Sequence, residues 1–439
     1  MKPLSTALAL ALLACPAFTQ DAPKPDTEKR VAELERKLEI LSKQLEAQTT
    51  GAAPEIPGQG KFGLGASASK VYESKGGLSI GGYGEVLYNN TQSKTLPDGT
   101  KLPSTAQTDA LRAVVYMGYK FNDWIVLNTE LEWEHGGYSD RSTDGEAILE
   151  FAYLDFLVKP SFNVRAGLLL MPMGFINELH EPPSRLGARR PFVENEGGII
   201  PTTWRENGVG IHGDLGQGVS YRLYVVNGLD GIGRDEEHGF SAEGITGGVQ
   251  LGKQALANKL AFTGRLDWTF TPGVVVGASF YGGDSNQGGN EAIPGTGAPL
   301  STSIFELHGE YLARGLQVRG LYAQTSISRS GVEALPEGSA VRQVGTSQGG
   351  GYLEVGYDLL RNGGTRQSLI PFVRYESLKL QKQVAAGVTA DPANDRSYLT
   401  FGLDYKPIPQ VVVKADYTRA DNKAKSAQDQ FNLGIGYNF

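Results

Sequence analysis

From Leu78 to the carboxyl terminus, apolar and polar residues alternate with a period of two. Such alternation places successive side chains on opposite faces of a β-strand. Runs of about 10 to 14 residues match a tilted membrane-spanning strand, whereas strands of soluble sheets average about 5 to 6. The pattern is clearest at the end of the chain, where the apolar positions are Phe431, Leu433, Ile435, Tyr437 and Phe439.

The connections between these runs alternate between short and long. The short ones are Asn122-Asp123, Pro160-Ser161, 216–218, Pro272-Gly273, Arg314-Gly315, 362–364 and 407–409. The long polar ones are 91–109, 136–145, 173–206, 230–257, 284–301, 329–347, 384–394 and 422–427. Bacterial outer-membrane barrels have this alternation, with short periplasmic turns and long external loops. Assigning Gly244–Gly252 to a loop preserves it, and the sequence predicts a 16-stranded antiparallel transmembrane β-barrel over residues 78–439.

The amino-terminal residues carry different signals. Lys2 and the apolar stretch Leu4–Ala14 predict a secretory signal peptide over residues 1–20. A lipoprotein signal with Cys15 lipidated is the alternative. Either signal directs the protein out of the cytoplasm.

A heptad-like repeat follows the leader. Its apolar positions are spaced three and four apart: Val31, Leu34, Leu38, Leu41 and Leu45. This spacing predicts a short α-helical coiled coil that associates with copies of itself, and a lone amphipathic surface helix is the alternative. We assign residues 21–60 to a periplasmic coiled coil with its flexible linker and residues 61–77 to a connecting segment.

Composition narrows the class of protein further. The 439 residues include 58 glycines, roughly double the usual share of about 7 %, which disfavours a helical or doubly wound enzyme. The single cysteine excludes a disulfide framework and cysteine-built metal sites. A net charge of -7 argues against a nucleic-acid partner.

The polar faces of the strands carry many charged residues, which are predicted to line a water-filled channel because unpaired charges are too costly to bury. The predicted basic pore-lining residues are Arg112, Arg165, Arg222, Arg265, Arg319, Arg374 and Lys414. The acidic ones are Glu85, Glu130, Glu132, Glu134, Asp267, Glu306, Glu310, Glu354, Asp358, Glu376, Asp404 and Asp416. These charges either keep the channel solvated or form a field that selects ions.

Loop 173–206 is the strongest candidate functional segment. It combines apolar residues that need packing with charges that need water, and an inward fold into the channel supplies both. The predicted constriction residues are Arg185, Arg189, Arg190, Arg205, Glu178, Glu181, Glu194 and Glu196.

Catalytic and metal signals are weak. Gly77–Gly81 matches G-x-S-x-G by letter, but it lies in a predicted strand rather than in the required strand-to-helix turn. Histidines 135, 180, 212, 238 and 308 show no i, i+4 pairing, so the spacing predicts no metal site. We therefore expect no enzymatic activity and no cofactor.

Several ordered motifs resemble the phosphate-selective porin O and P family of outer-membrane porins. They are Gly81–Glu85, Arg165–Gly167, Met171–Gly174, Arg205–Gly210, Val226–Gly228 and Tyr437–Phe439. The resemblance implies a sixteen-stranded homotrimer, a terminal Phe439 read by the barrel-assembly machinery, and a short amino-terminal coil as a familiar addition. The acidic excess among the predicted pore-lining residues departs from phosphate-selective members, whose pores are lined by basic residues.

Together these features predict a porin of the Gram-negative outer membrane, through which small hydrophilic solutes or ions, with anions such as phosphate as candidates, diffuse passively. The expected partners are outer-membrane lipid, lipopolysaccharide and two further copies of the chain. The alternatives are a secreted β-protein that binds surface glycans and a barrel enzyme such as an outer-membrane phospholipase.

Overall fold

Long strands form because β-branched and aromatic residues recur on one face and polar residues on the other. The computed structural model of the protein describes residues 59–136, 145–195, 197–234, 238–288, 297–362 and 366–439. The predicted leader and coiled coil lie outside these residues and stay predictions.

Within the described residues, sixteen long strands form a closed antiparallel barrel, which confirms the predicted fold. They are β1 Gly77–Thr91, β2 Thr105–Lys120, β3 Ile125–Glu134, β4 Glu146–Lys159, β5 Phe162–Leu170, β6 Arg205–Gly216, β7 Val219–Asn227, β8 Leu260–Thr271, β9 Val274–Asp284, β10 Ser301–Ala313, β11 Leu316–Ile327, β12 Ser347–Tyr357, β13 Ser368–Gln383, β14 Asp395–Ile408, β15 Val411–Asn422 and β16 Gln430–Asn438. Lys94–Thr95 and Lys101–Leu102 form a separate small ribbon.

Helices in the described residues are short. The α-helices are α1 Lys70–Glu73 and α2 Arg329–Glu333, and the 3-10 turns are Lys61–Gly63, Pro182–Ser184, Phe192–Glu194, Thr246–Gly248, Val341–Gln343 and Pro392–Asn394. None of the helices in this part of the chain is both long and apolar enough to cross a membrane.

The connections follow the predicted alternation of short and long, although several of their bounds differ. The turn between β14 and β15 is 409–410, because the strand continues through Ile408. The connection from β12 to β13 spans 358–367 and is longer than predicted. Asp358 lies in this connection rather than on the wall, and its Oδ1 accepts the N–H groups of Leu360 and Leu369 at 3.0 Å each.

The first and last strands close the barrel. Tyr83 on β1 pairs with Asn438 on β16, and the pairing continues to Thr91 and Gln430. Ile435 is 55 % exposed on the outer face, whereas Asn432 is fully buried inside. The period-two pattern therefore predicted both the closing strand and its orientation.

Deleting Phe439 should impair barrel assembly. Its N–H and C=O bond Gly82 at 2.9 and 3.0 Å, so the deletion removes one closing pair of hydrogen bonds together with a terminal aromatic ring. We expect a reduced heat-modifiable band in membrane fractions, with Phe439→Tyr as the control that keeps both features. A normal amount of folded, membrane-inserted protein after the deletion would contradict this expectation.

Candidate pore constriction

The inner wall is a network of ion pairs. Arg165 Nε lies 2.8 Å from Asp155, and Arg319 Nε lies 2.7 Å from Glu310. Arg374 contacts both Glu354 and Glu376 at 2.9 Å. Because these charges are paired and buried, the wall does not need bulk water at each charge.

The predicted pore-lining residues other than Asp358 all have inward-facing side chains. Those within the described strands that are buried are Glu85, Arg112, Glu130, Glu132, Arg165, Arg222, Arg265, Asp267, Glu306, Glu310, Arg319, Glu354, Arg374, Glu376, Asp404, Lys414 and Asp416. The Glu134 side chain is partly exposed, at 26 %.

The long loop between β5 and β6 crosses the barrel interior. It spans residues 171–204, and Arg205 and Glu206 begin β6, so the predicted bounds of 173–206 shift by two residues. Met173, Ile176 and Trp204 are completely buried. The loop thus fills much of the interior.

Charges of the wall hold the loop backbone. Lys414 donates to the carbonyl of Arg185 at 2.7 Å, and Lys406 donates to that of Pro183 at 2.6 Å. In the other direction, the N–H of Ala188 donates to Asp416 at 2.6 Å. Burial leaves backbone groups without water, and the wall charges satisfy them.

Arg185 is anchored to the wall. Its Nη2 lies 2.5 Å from Glu85, which also lies 3.0 Å from Arg112. Its Nη1 donates to the carbonyls of Gly187 and Ala188. Arg185 therefore holds the loop in place.

Of the other predicted constriction residues, some bind groups outside the loop and others form hydrogen bonds to the loop itself. Glu181 accepts the N–H of Ser67 at 2.8 Å, and Glu178 lies 2.9 Å from Arg222. Arg190 donates to Thr202 at 2.8 Å and Arg205 to the carbonyl of Thr203 at 3.1 Å. Arg189 is partly buried, and Glu196 lies outside the described residues.

Glu194 supports the fold of the loop. Its Oε1 accepts the N–H groups of Phe175 and Ile176 at 2.6 and 3.0 Å, and its Oε2 accepts the Tyr352 hydroxyl at 2.7 Å. Burial raises the pKa of the Glu194 carboxyl, and these hydrogen bonds oppose the rise.

A second segment, residues 59–76, also packs inside the barrel. The Tyr72 hydroxyl donates to Asp155 at 2.5 Å, and the Asn128 side chain donates to the carbonyl of Ala68 at 2.8 Å. Gly118 permits the approach, because a Cβ there would lie 2.5 Å from the Val71 Cβ. The sequence predicts only a connecting segment over residues 61–77, and the position of this stretch inside the barrel is evident only in the structure.

A cavity of about 500 Å³ remains beside this segment. Its walls include residues 59–63, Arg222, Arg265, Asp267 and Glu310. The contacts of the segment with the starts of β3 and β7 place this cavity toward the short-turn end.

Two further carboxylates face inward and were not among the predicted pore-lining residues. Glu150 and Asp155 both lie on β4 and are completely buried. Strict alternation would place Glu150 and Asp155 on opposite faces, but a register shift opposite Glu130 and Leu131 turns Glu150 inward. For Glu150, the only signal in the sequence was an acidic residue between two apolar neighbours, Leu149 and Phe151.

No protein-family model matches the chain. A protein of Aquifex aeolicus (strain VF5), described as an uncharacterized protein, is 38 % identical over 385 residues, which cover 86 % of this chain and 83 % of that protein. The chain belongs to the same family as that protein.

Several solved structures share the fold of this chain. Salmonella typhi OmpF, in complex with daunomycin, has a TM-score of 0.52 at 16 % identity and covers 84 % of this chain and 99 % of its own. The anion-selective porin from Comamonas acidovorans has a TM-score of 0.52 at 11 % identity, covering 82 % and 99 %. The outer-membrane channel DcaP of Acinetobacter baumannii has a TM-score of 0.52 at 12 % identity, covering 82 % and 97 %. At these identities the likeness concerns the fold, which is that of outer-membrane porins.

Proposed function

We propose that the protein is a multi-pass channel of the Gram-negative outer membrane, through which small hydrophilic solutes diffuse passively. The observation that carries the proposal is the closed barrel with an apolar exterior and a charged interior. Closure leaves no unpaired strand edge, which is required of strands in lipid. Exposed outer side chains such as Phe262, Trp268 and Ile435 suit a hydrocarbon environment.

The loop of residues 171–204 serves as the constriction in this proposal. Its chain crosses the interior and is held by charges of the wall, so the remaining path is narrow and polar. A narrow polar path favours small hydrophilic solutes over apolar ones. Solutes pass beside the loop and the segment 59–76.

Anion preference, as in the phosphate-selective porins, is the finer proposal. Arg190 Nε and Nη2 and Arg205 Nε are buried without hydrogen-bond partners within the described residues. Planar guanidinium groups suit phosphate and carboxylate geometry. These two arginines are therefore candidates that contact an anion, whereas Arg185, whose Nε also has no partner there, is held by Glu85 through its Nη2.

We propose further that the protein is a homotrimer embedded in lipid and lipopolysaccharide. The heptad spacing at residues 31–45 supports association between chains, three of which would match three barrels, and the exposed apolar exterior supports contact with lipid. Cross-linking in native membranes should then give a product of three chains.

Planar-bilayer recording of the purified protein tests the function. We expect discrete conductance steps and, in a salt gradient, a reversal potential that reports the preferred ion. Heat-modifiable protein in the outer-membrane fraction tests the location. A soluble, non-conducting protein would contradict the proposal and favour the glycan-binding alternative.

A further inference from the structure

Two carboxylates and one histidine converge on the inner wall beside the loop. Glu130 on β3, Glu150 on β4 and His180 of the loop each offer a ligand atom, and these atoms lie within 4.8 Å of one another. His180 Nε2 is 3.1 Å from Glu130 Oε1 and 3.9 Å from Glu150 Oε2. All three residues are at most 2 % exposed.

The charges of this cluster are poorly balanced. Both oxygens of Glu150 and Oε2 of Glu130 have no hydrogen-bond partner within the described residues. Two arginines are near the cluster, but Arg112 lies 3.4 Å from Glu132, and Arg205, whose charge acts on both carboxylates, donates to the carbonyl of Thr203. Buried carboxylates without partners are strongly unfavourable, so a bound cation would resolve the imbalance.

The register shift in β4 builds this arrangement. It leaves Glu150 without a paired residue on β3, and both Glu150 and Phe151 are buried. Bulges of this kind re-aim side chains and often occur next to functional sites. The Glu150 carboxylate is thereby directed toward the Glu130 carboxylate and His180.

His180 has the orientation of a metal ligand. Its Nδ1 lies 3.2 Å from the carbonyl of Asn177, where Nδ1–H can donate, and loss of the proton from Nε2, which lies 3.1 Å from Glu130, gives a nitrogen that can bind a metal. Nε2 faces Glu130, Glu150 and the Tyr116 hydroxyl, which is 3.4 Å away. An unprotonated nitrogen beside two carboxylates forms a set of three acceptors.

We propose that Glu130, Glu150 and His180 bind a divalent transition-metal ion, with Zn²⁺ as the representative. Imidazole and carboxylate ligands suit Zn²⁺, whose ligand atoms lie about 3.3 Å apart in a tetrahedron with bonds of about 2.0 Å. His180 Nε2 lies 3.1 Å from Glu130 Oε1, near this value, and 3.9 Å from Glu150 Oε2, so Glu150 has to move inward by about half an ångström to complete the set. The ion ties the loop to β3 and β4, a role that goes beyond diffusion through the channel.

Equilibrium dialysis of the untagged, full-length, EDTA-treated protein against ZnCl₂ tests the site. We expect one tightly bound Zn²⁺ per chain. Glu150→Gln and His180→Ala should each weaken this binding at least about tenfold. Glu150→Gln also removes a buried unpaired charge, so this variant should fold at least as well as the parent without metal.

His308→Gln is the matched control. His308 is also a buried histidine between two carboxylates, but Glu306 lies 2.8 Å from its Nδ1 and Asp267 lies 2.8 Å from its Nε2. Ligands on opposite sides of the ring cannot converge on one ion, so this variant should keep its bound Zn²⁺.

Two readouts decide the outcome. At the same concentration, Zn²⁺ should raise the melting temperature of the parent and of His308→Gln clearly more than that of Glu150→Gln. Zinc binding and stabilisation that are the same in Glu150→Gln and His180→Ala as in the parent would overturn the proposal, as would a parent that binds no tight Zn²⁺. A proton shared by Glu130 and Glu150 would then balance the charge. Neither result depends on whether the barrel conducts.

Discussion

Replacing residues 62–73 with a Gly/Ser linker of the same length is expected to raise the single-channel conductance at least about twofold. This segment buries Leu64, Val71 and Tyr72 against the inner wall and therefore occupies part of the cross-section. A flexible linker lacks the apolar side chains that hold the chain in this position. Planar-bilayer recording at fixed salt measures the change.

The matched control replaces residues 92–103 with the same linker. That stretch has the same length but lies between β1 and β2 and is mostly exposed, so we expect the parent conductance. Equal conductance of the parent and the 62–73 variant, with both folded, would mean that ions do not pass this segment.

Arg185→Ala should detach the loop of residues 171–204 from the wall. The change removes the contact with Glu85 and the hydrogen bonds to the carbonyls of Gly187 and Ala188. We expect loop docking to be weakened by about 3 kcal/mol, the low end for a broken buried ion pair, because Arg112 still faces Glu85.

Limited proteolysis detects the released loop. Trypsin should cleave after Arg189 much faster in Arg185→Ala than in the parent, and the channel should conduct more. Arg329→Ala is the control, because its pair with Glu333 has an arginine side chain that is 59 % exposed and is worth less than about 0.5 kcal/mol. Equal cleavage rates in Arg185→Ala and Arg329→Ala would show that the ion pair does not anchor the loop.

The sequence by itself determined the barrel. Period-two alternation is a local property of the strand, so the outward position of Ile435 and the inward position of Asn432 could be predicted from neighbouring residues alone. Alternating connection lengths identified the number of strands, because antiparallel neighbours must be joined at alternate ends. The alternating connection lengths also predicted correctly that Gly244–Gly252 is not a strand of the barrel.

Only the tertiary structure decided how the interior is used. Arg185 and Glu85 are 100 residues apart and meet because the loop crosses a closed barrel. The register shift at Glu150 breaks the strict alternation on which the prediction relied, and the cluster with Glu130 depends on it. Wall charges that look solvated in a list of polar positions form ion pairs with charges on neighbouring strands, such as Arg165 with Asp155, since a buried charge is stable only with a partner.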